Sequence, residues 1–297
     1  MAEHDAAVPA TSTPAQALKP LYEEPGLPHW GLPSTLAALY GGNLGFNEPC
    51  LYANFVASLD GVVDLGPEFP SSGSTISGRE PADRFVMGLL RACADAVLIG
   101  AGTLRATPGH HWTPEHAYPA AATEFAELRH GLGRAAEPDL VVVTASGDIP
   151  ADHPGLRAGT LIATTRAGAR RLDGRLPATC TILAVGEGPG LPMADVLDAV
   201  RARGHTIVLT EGGPRVIGQL IGDSLLDELF LTVSPLLAGR ADTPRSGLVA
   251  GLELLPGVHK AAGLISARQR ASYLFLRYRL RGGRPPGNGM DTSPPGR

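Results

Sequence analysis

Two glycine-rich turns follow apolar runs in the sequence, at positions where a chain can bind phosphate. Gly100-Ala101-Gly102-Thr103 comes directly after the run 95–99, and Gly212-Gly213 comes directly after the run 206–210. Glycine lets backbone N–H groups approach a phosphate closely, and a following helix adds its N-terminal dipole. Pro214 suits the first turn of such a helix, because its missing N–H would be unpaired there. Either turn alone is equally well explained as a tight connection, but two at the carboxyl ends of strands in one sheet favour a ligand site.

Neither of the two commonest nucleotide-binding motifs fits these turns. A P-loop requires a lysine after its second glycine, and the lysines of this chain, Lys19 and Lys260, are far from both turns. A Rossmann fingerprint requires a glycine at its sixth position, where the first turn has Arg105. A phosphate bound at these turns would therefore belong to another fold.

A polar pair ends the first apolar run of the chain. Ser58 and Asp60 are two positions apart, so on a strand they share a face, and Gly61 follows them. One interpretation is a local turn in which the serine is the hydrogen-bond partner of the aspartate. The other is a loop that brings a carboxylate into a pocket, which makes Asp60 a candidate catalytic residue and Ser58 a candidate substrate contact.

Two arginines, Arg84 and Arg91, are seven positions apart on the predicted helix that follows, and so lie on nearly the same side of it. They either form surface ion pairs with Asp83 or Asp95, or one of them binds a phosphate of the substrate. Both interpretations stay open at the level of sequence.

Composition and charge argue against several classes of protein. The net charge is −4 and the basic residues are scattered, without the basic stripe that a nucleic-acid binder needs. The sequence contains no run of about 18 apolar residues, so no membrane span is predicted. The N-terminus lacks the pattern of a signal peptide. The histidines at 110, 111 and 116 lack the helical spacing of a zinc site, so we expect no metal there. We therefore expect a cytoplasmic protein that binds neither nucleic acid nor membrane.

Apolar runs that alternate with helix-like segments predict the α/β class, a largely parallel sheet flanked by helices. The segment 77–80 has the pattern of a capping box, in which Ser77 would cap a helix and Glu80 would reach back to it. Further helices are predicted over 193–203 and after Pro214, and the last strand is expected to join the sheet antiparallel. The predicted strands are 51–59, 95–99, 140–144, 160–165, 181–185, 206–210, 226–233 and 272–280.

One folded domain over residues 49–280 accommodates these elements. Residues 21–48 are expected to form an N-terminal extension with a short helix. Residues 1–20 and 281–297 contain too few apolar side chains to offset the entropy of ordering, and we expect them to be disordered tails.

Taken together, these segments resemble the reductase domain of the riboflavin-biosynthesis deaminase/reductases, which has a dihydrofolate-reductase-like fold. The resemblance implies a mostly parallel mixed sheet, NADPH as cofactor, and a pyrimidine substrate, 5-amino-6-(5-phosphoribosylamino)uracil. Hydride transfer to C1′ of its opened sugar would give a ribitylamino product. The matching segments, in the family's order, are ANFVASLDG (53–61), LLRACADAVLIGAGT (89–103), VVVT (141–144), LTEGGP (209–214) and LLDELFLTVSPLLAG (225–239).

The resemblance also implies the residues of the site. Glu211 and Arg91 match positions that face the substrate, and Glu211 would orient or protonate the reacting nitrogen. Asp60 matches the aspartate of the family's S-L-D-G motif. The residues implied for the cofactor are Gly100, Ala101, Gly102, Thr103 and Thr144, followed by Gly212, Gly213, Pro214, Arg215, Val216, Ile217 and Gly218, which would wrap the diphosphate.

The sequence departs from the family at two positions and lacks the deaminase half. Val62 stands where a basic residue is common, and Thr107 stands where an acidic residue is usual. The zinc signature of the deaminase is absent, which predicts a stand-alone reductase. For the 2′-phosphate of NADPH the candidate is Thr164, in the segment 164–166 after a strand.

Two other functions stay open. A pterin or dihydrofolate-type reductase would use the same fold and cofactor, and the missing basic residue at Val62 keeps that alternative open. A non-catalytic nucleotide-binding module is the other, against which Glu211, Asp60 and Thr103 argue. By analogy with the family we expect a homodimer, with the run 225–237 either at its interface or in the core.

Overall fold

The computed structural model describes residues 16–188, 190–240 and 245–280, which form one mixed sheet with helices on both faces. The strands are β1 (Lys19–Glu23), β2 (Cys50–Ala57), β3 (Ala96–Gly100), β4 (Asp139–Thr144), β5 (Leu161–Thr164), β6 (Thr181–Ala184), β7 (Ile207–Thr210), β8 (Glu228–Val233), β9 (Gly263–Arg270) and β10 (Tyr273–Arg279). Their order in the sheet is β1-β9-β10-β8-β2-β7-β3-β4-β5-β6. All eight predicted strands are confirmed to within two residues.

The α-helices are α1 (Ser34–Tyr40), α2 (Ser72–Ile76), α3 (Pro81–Cys93), α4 (Ala101–Ala106), α5 (Pro114–Ala117), α6 (Ala122–Gly131), α7 (Arg166–Leu172), α8 (Met193–Arg201) and α9 (Pro214–Gly222). The short helix expected within 21–48 is α1. Among the described residues, no helix is long and apolar enough to cross a membrane.

The parallel part of the sheet runs from β8 to β6 and contains the core of the fold. Every residue of β3 and of β7 is buried, because helices cover both faces of these strands. On one face Leu36 of α1 and Phe85 of α3 pack into the core, and on the other Val196 of α8 and Ile217 of α9 do so. The expected α/β class with a mostly parallel mixed sheet is confirmed.

The antiparallel end of the sheet corrects the predicted domain limits. β10 pairs antiparallel with β8, as expected, and β9 and β1 follow it. The N-terminal tail expected over residues 1–20 extends too far into the chain, because Leu18 is buried and Lys19 begins β1. Buried side chains of the extension, such as Leu36 and Phe46, belong to the same core as β2. Residues 1–15 and 281–297, the rest of the expected tails, lie outside the described residues.

The start of α3 differs from the predicted capping box. Glu80 is the N-cap, and its side chain accepts a hydrogen bond of 3.3 Å from the backbone N–H of Ala82. Ser77 instead ends α2. Pro81 explains the shift, because it favours extended backbone in the residue before it and suits the first helical position.

Candidate active site

The site forms where three neighbouring parallel strands end. β2, β7 and β3 pair in parallel, so their carboxyl ends lie at the same edge of the sheet. Ser58, Glu211 and Ala101 are the first residues after these three strands. The two glycine-rich turns are thus brought to one edge, as the sequence predicted, and the S-L-D-G segment lies at the same edge.

Glu211 is held by a two-armed ion pair with Arg91. The Nε of Arg91 donates to Oε1 at 3.0 Å and Nη2 donates to Oε2 at 2.7 Å. The exposed fractions of the side chains are 1% for Arg91 and 11% for Glu211. Such a fork-to-carboxylate pair is strong and directional. The carboxylate is therefore fixed in position, with only a small part of its surface facing outward.

The other N–H groups of Arg91 are also used. Nη1 donates to the backbone carbonyls of His111 and Thr113, both at 3.2 Å, and Nη2 lies 3.0 Å from Nε2 of His110. Burial, together with the charge of Arg91, lowers the pKa of His110 to about 2. His110 is therefore neutral and accepts from Arg91. The expectation that Arg91 contacts the substrate is not supported, because Arg91 is buried and all five of its N–H groups have partners.

The two glycine-rich turns lie against each other. A Cβ at Gly213 would lie 3.8 Å from the hydroxyl oxygen of Thr103, and a Cβ at Gly100 would lie 3.1 Å from Val216 of α9. A Cβ at Gly212 would approach Val216 to 2.8 Å, which is too close for any side chain. Glycine at positions 100 and 212 therefore allows α9 to pack against the end of β3, in addition to any contact with a ligand.

Helix α9 begins at Pro214 with Gly213 as N-cap and without a side-chain cap. Arg215 is exposed in its first turn. Ile217, by contrast, is fully buried in the core, and a Cβ at Gly218 would lie 2.3 Å from the carbonyl oxygen of Ala250. The expectation that these last two residues contact a cofactor is therefore corrected: they pack α9 against the protein.

Two threonines expected at the cofactor are involved in internal contacts. The hydroxyl of Thr144 accepts a hydrogen bond of 3.2 Å from the N–H of Gly147. Thr164 is fully buried, and a Cβ at Gly168 would lie only 2.0 Å from its hydroxyl oxygen. The side chain of Thr164 thus faces α7 rather than a ligand, which corrects its assignment to a 2′-phosphate site.

Ser58 and Asp60 anchor one loop to another. The hydroxyl of Ser58 donates to Oδ1 of Asp60 at 2.6 Å, and the carboxylate accepts the N–H groups of Ala238 at 2.9 Å and Gly239 at 2.8 Å. The hydrogen bond from Ser58, followed by that from Ala238, lowers the pKa of Asp60 to about 2. A carboxylate with these partners does not donate protons near neutral pH, so the structure favours the turn interpretation over a catalytic Asp60.

Asp83 is a candidate that the sequence considered only as a surface partner for an arginine. It is 6% exposed, and its carboxyl is hydrogen-bonded to the hydroxyls of Thr232 and Ser77. Burial raises its pKa to about 6, against the effect of these hydroxyls. The sequence pattern could have revealed its burial, because Asp83 lies on the apolar side of α3, where a charged residue is unexpected.

The surface ion pairs with Asp83 or Asp95, one of the two interpretations of Arg84 and Arg91, do not form. Arg84 donates from Nε to the carbonyl of Ala117 at 3.0 Å, and Asp95 pairs with Arg134 instead. Among the described residues, no group of three or more His, Cys, Asp or Glu side chains could hold a metal ion.

Residues 49–254 match the family model described as the RibD C-terminal domain. The chain belongs to the RibD C-terminal domain family. The matched range contains Ser58, Asp83, Arg91 and Glu211, and with them both glycine-rich turns. The family assignment made from the ordered motifs is confirmed.

Similar proteins include an archaeal enzyme and two bacterial structures. The 2,5-diamino-6-ribosylamino-4(3H)-pyrimidinone 5′-phosphate reductase of Archaeoglobus fulgidus is 26% identical over 199 residues, which is 66% of this chain and 85% of that protein. A pyrimidine reductase-like protein from Corynebacterium diphtheriae is 22% identical with a TM-score of 0.59, covering 84% of this chain and 99% of that chain. RibD from Acinetobacter baumannii is 17% identical with a TM-score of 0.60, covering 82% and 59% of the respective chains. The chain thus shares its fold with these two bacterial proteins, as expected from the resemblance to the RibD reductases.

Proposed function

We propose that this RibD C-terminal domain protein is an NADPH-dependent reductase. It converts the ribosylamino group of 5-amino-6-(5-phosphoribosylamino)uracil into the ribitylamino group of the riboflavin pathway. The observation that carries the proposal is the Glu211 carboxylate, held by both arms of Arg91 at the edge where the two glycine-rich turns meet. The pyrimidinone in the name of the archaeal relative carries the same ribosylamino phosphate group, which makes it the second substrate to test.

The residues at this edge fit a dinucleotide phosphate. The uncapped N-terminus of α9 at Gly213 leaves backbone N–H groups for an anion. Thr103 lies beside it, and nothing occupies the space beside Gly102. In this proposal Gly102, Thr103, Gly213 and Arg215 hold NADPH, which supplies a hydride when bound.

Glu211 stabilises positive charge on the substrate. Reduction replaces the bond between C1′ and the ring oxygen by a C1′–H bond, and positive charge develops on C1′ and its nitrogen as the ring opens. A fixed carboxylate beside these atoms stabilises that charge without reorganising. Because both carboxylate oxygens of Glu211 are paired with Arg91, Glu211 acts here through its charge rather than by donating a proton.

Glu211→Gln tests this role. The variant keeps the shape of the side chain but loses its charge, so we expect the turnover of the pyrimidine to fall by about 100-fold or more. The dissociation constant of NADPH, measured by fluorescence titration, should change less than about twofold. A loss of NADPH affinity with unchanged turnover at saturation would instead make Glu211 a cofactor residue.

The substrate is tested by following NADPH oxidation with three compounds in parallel. These are the phosphoribosylaminouracil, the 2,5-diaminopyrimidinone analogue and dihydrofolate. We expect turnover of a pyrimidine and none of dihydrofolate. Turnover of dihydrofolate alone would establish the pterin alternative, and tight NADPH binding without any turnover would establish a binding module.

We also propose that the protein acts as a homodimer in the cytoplasm. Cys50, Cys93 and Cys180 are all free thiols, as is usual for a reducing compartment. Strand β8 is paired on both edges within the sheet. The exposed large apolar side chains of the run 225–237 are Leu236 and Leu237, at its end. Light scattering on Leu237→Asp should show a monomer if this end forms the interface.

A further inference from the structure

A second carboxyl group lies on the same side of the sheet as Glu211. Asp83 is in the first turn of α3, and Arg91, which holds Glu211, is about two turns further along that helix. Both carboxyl groups therefore lie between α3 and the sheet. The negative charge of Glu211 is among the causes that raise the pKa of Asp83, after burial.

The surroundings of Asp83 contain hydroxyl groups and acids. Thr232 of β8 and Ser77 are hydrogen-bonded to its carboxyl. Tyr273 of β10 donates to the carbonyl of Ser77 at 3.0 Å, and the pKa of this tyrosine is raised by burial and by the nearby acids. The charged groups that act on Asp83 are Glu80, whose carboxylate lies 3.5 Å from Arg270, and Glu211.

No counter-charge compensates Asp83 directly. Within the described ranges, no basic side chain forms an ion pair with it. A buried carboxylate without such a partner is costly, so Asp83 keeps its proton up to a higher pH than an exposed aspartate does. A buried carboxyl group without a counter-charge, near a carboxylate held in an ion pair, is typical of an acid and its charged partner.

We propose that Asp83 is the acid that supplies the proton of the reduction, while Glu211 remains the charged partner. This inference rests on the proposed function. The proton of Asp83 goes to the ring oxygen of the ribosyl group as the C1′–O bond breaks, and the electron pair of that bond goes to the oxygen. The nitrogen lone pair supports the positive C1′, which then takes the hydride of the reduced nicotinamide. One proton and one hydride are consumed, and the nitrogen keeps its hydrogen.

Asp83→Asn removes the proton and preserves the volume of the side chain. We expect the turnover of the wild-type protein to fall as the pH rises above about 6, by roughly tenfold per pH unit. At about pH 6 the variant should turn over about 100-fold more slowly than the wild type and show no such inflection. Asp195→Asn is the matched control, because Asp195 is an exposed aspartate in the first turn of α8.

Thr232→Val gives a second test that does not depend on the Asn variant. Without its hydroxyl the charged form of Asp83 loses a hydrogen bond, so the inflection of the wild-type profile should move to higher pH. The dissociation constant of NADPH, measured for all variants, should change less than about twofold. A profile of Thr232→Val identical to that of the wild type would contradict the assignment.

The outcomes separate this inference from the proposed function. If the wild type turns over a pyrimidine and Asp83→Asn keeps more than half of that turnover with the same inflection, Asp83 is not the acid, and the proposed function stands. A raised KM with unchanged kcat would make Asp83 a substrate-binding residue and overturn the inference as well. If the wild type turns over neither pyrimidine, both the function and the inference fail.

Discussion

Three carboxyl groups near one sheet edge have different roles because their partners differ. Glu211 is paired with a guanidinium, Asp60 accepts a hydroxyl and two backbone N–H groups, and Asp83 is buried among hydroxyls. The pKa is lowered for Asp60 and raised for Asp83. Charge stabilisation, loop anchoring and proton supply are thus assigned to separate residues.

The raised pKa of Asp83 predicts a dependence of stability on pH. Its value rises from 3.8 to about 6 in the folded protein, so the folded state binds the proton more tightly than the unfolded chain. The stabilisation is complete below about pH 4 and is lost as the pH rises through about 6. A shift of about two units corresponds to roughly 3 kcal/mol.

Asp83→Asn removes this dependence. Urea unfolding at about pH 4 and pH 8 should show that the free energy of unfolding of the variant, relative to the wild type, increases with pH. The expected increase is on the order of 2 to 3 kcal/mol. The same pH dependence in both proteins would show that Asp83 has an ordinary pKa in the folded state.

At the scale of elements, the turn after β2 organises the loop after β8. Asp60 accepts the N–H groups of Ala238 and Gly239, and Arg245 donates to the carbonyl of Gly239 at 2.9 Å. Val63 also donates to the carbonyl of Ser246 at 2.9 Å. The S-L-D-G segment therefore contributes to the site through the loop that it holds.

Asp60→Ala should release this loop. We expect the amides of Ala238 and Gly239 to exchange with deuterium at least about fivefold faster than in the wild type, because their acceptor is lost. Asp152→Asn, which removes an exposed acid elsewhere, should leave their exchange unchanged. Unchanged exchange in Asp60→Ala would mean that the loop is held by other contacts.

At the scale of the whole molecule, the segment before the family match is part of the fold. Strand β1 extends the sheet beyond β9, and Arg268 of β9 pairs with Glu23 of β1. Leu18 is 2% exposed and its N–H donates to the carbonyl of Leu39 at 2.8 Å. We therefore expect the described residues before 49 to be required for stability.

Leu18→Ala tests this requirement. Removing a fully buried leucine side chain should lower the free energy of unfolding by about 2 to 4 kcal/mol. Leu21→Ala, at a half-exposed position in β1, should change it by less than about 0.5 kcal/mol. Equal small effects of both would show that this segment is not part of the cooperative unit.

Local patterns predicted the parallel strands and the two turns, because buried runs and glycine positions depend on neighbouring residues. Glu211 was named only through the resemblance to the family. Contacts between distant segments were not predictable. Asp60 binds amides 178 and 179 positions away, and the pairing of Arg91 with Glu211 spans 120 positions. Strand β9 was missed because its polar residues, such as Arg268, are buried only through their tertiary partners. Thr164 was misassigned because its burial under α7 also depends on the assembled fold.

The fate of the hydride tests the proposed reduction most directly. The protein is incubated with NADPH that carries deuterium at the transferable position of C4 and with 5-amino-6-(5-phosphoribosylamino)uracil, and the product is analysed by mass spectrometry and NMR. We expect the wild type to form a ribitylamino product with a single deuterium at C1′, and Glu211→Gln to form it far more slowly. A product without deuterium at C1′, or no product while NADPH binds, would contradict it.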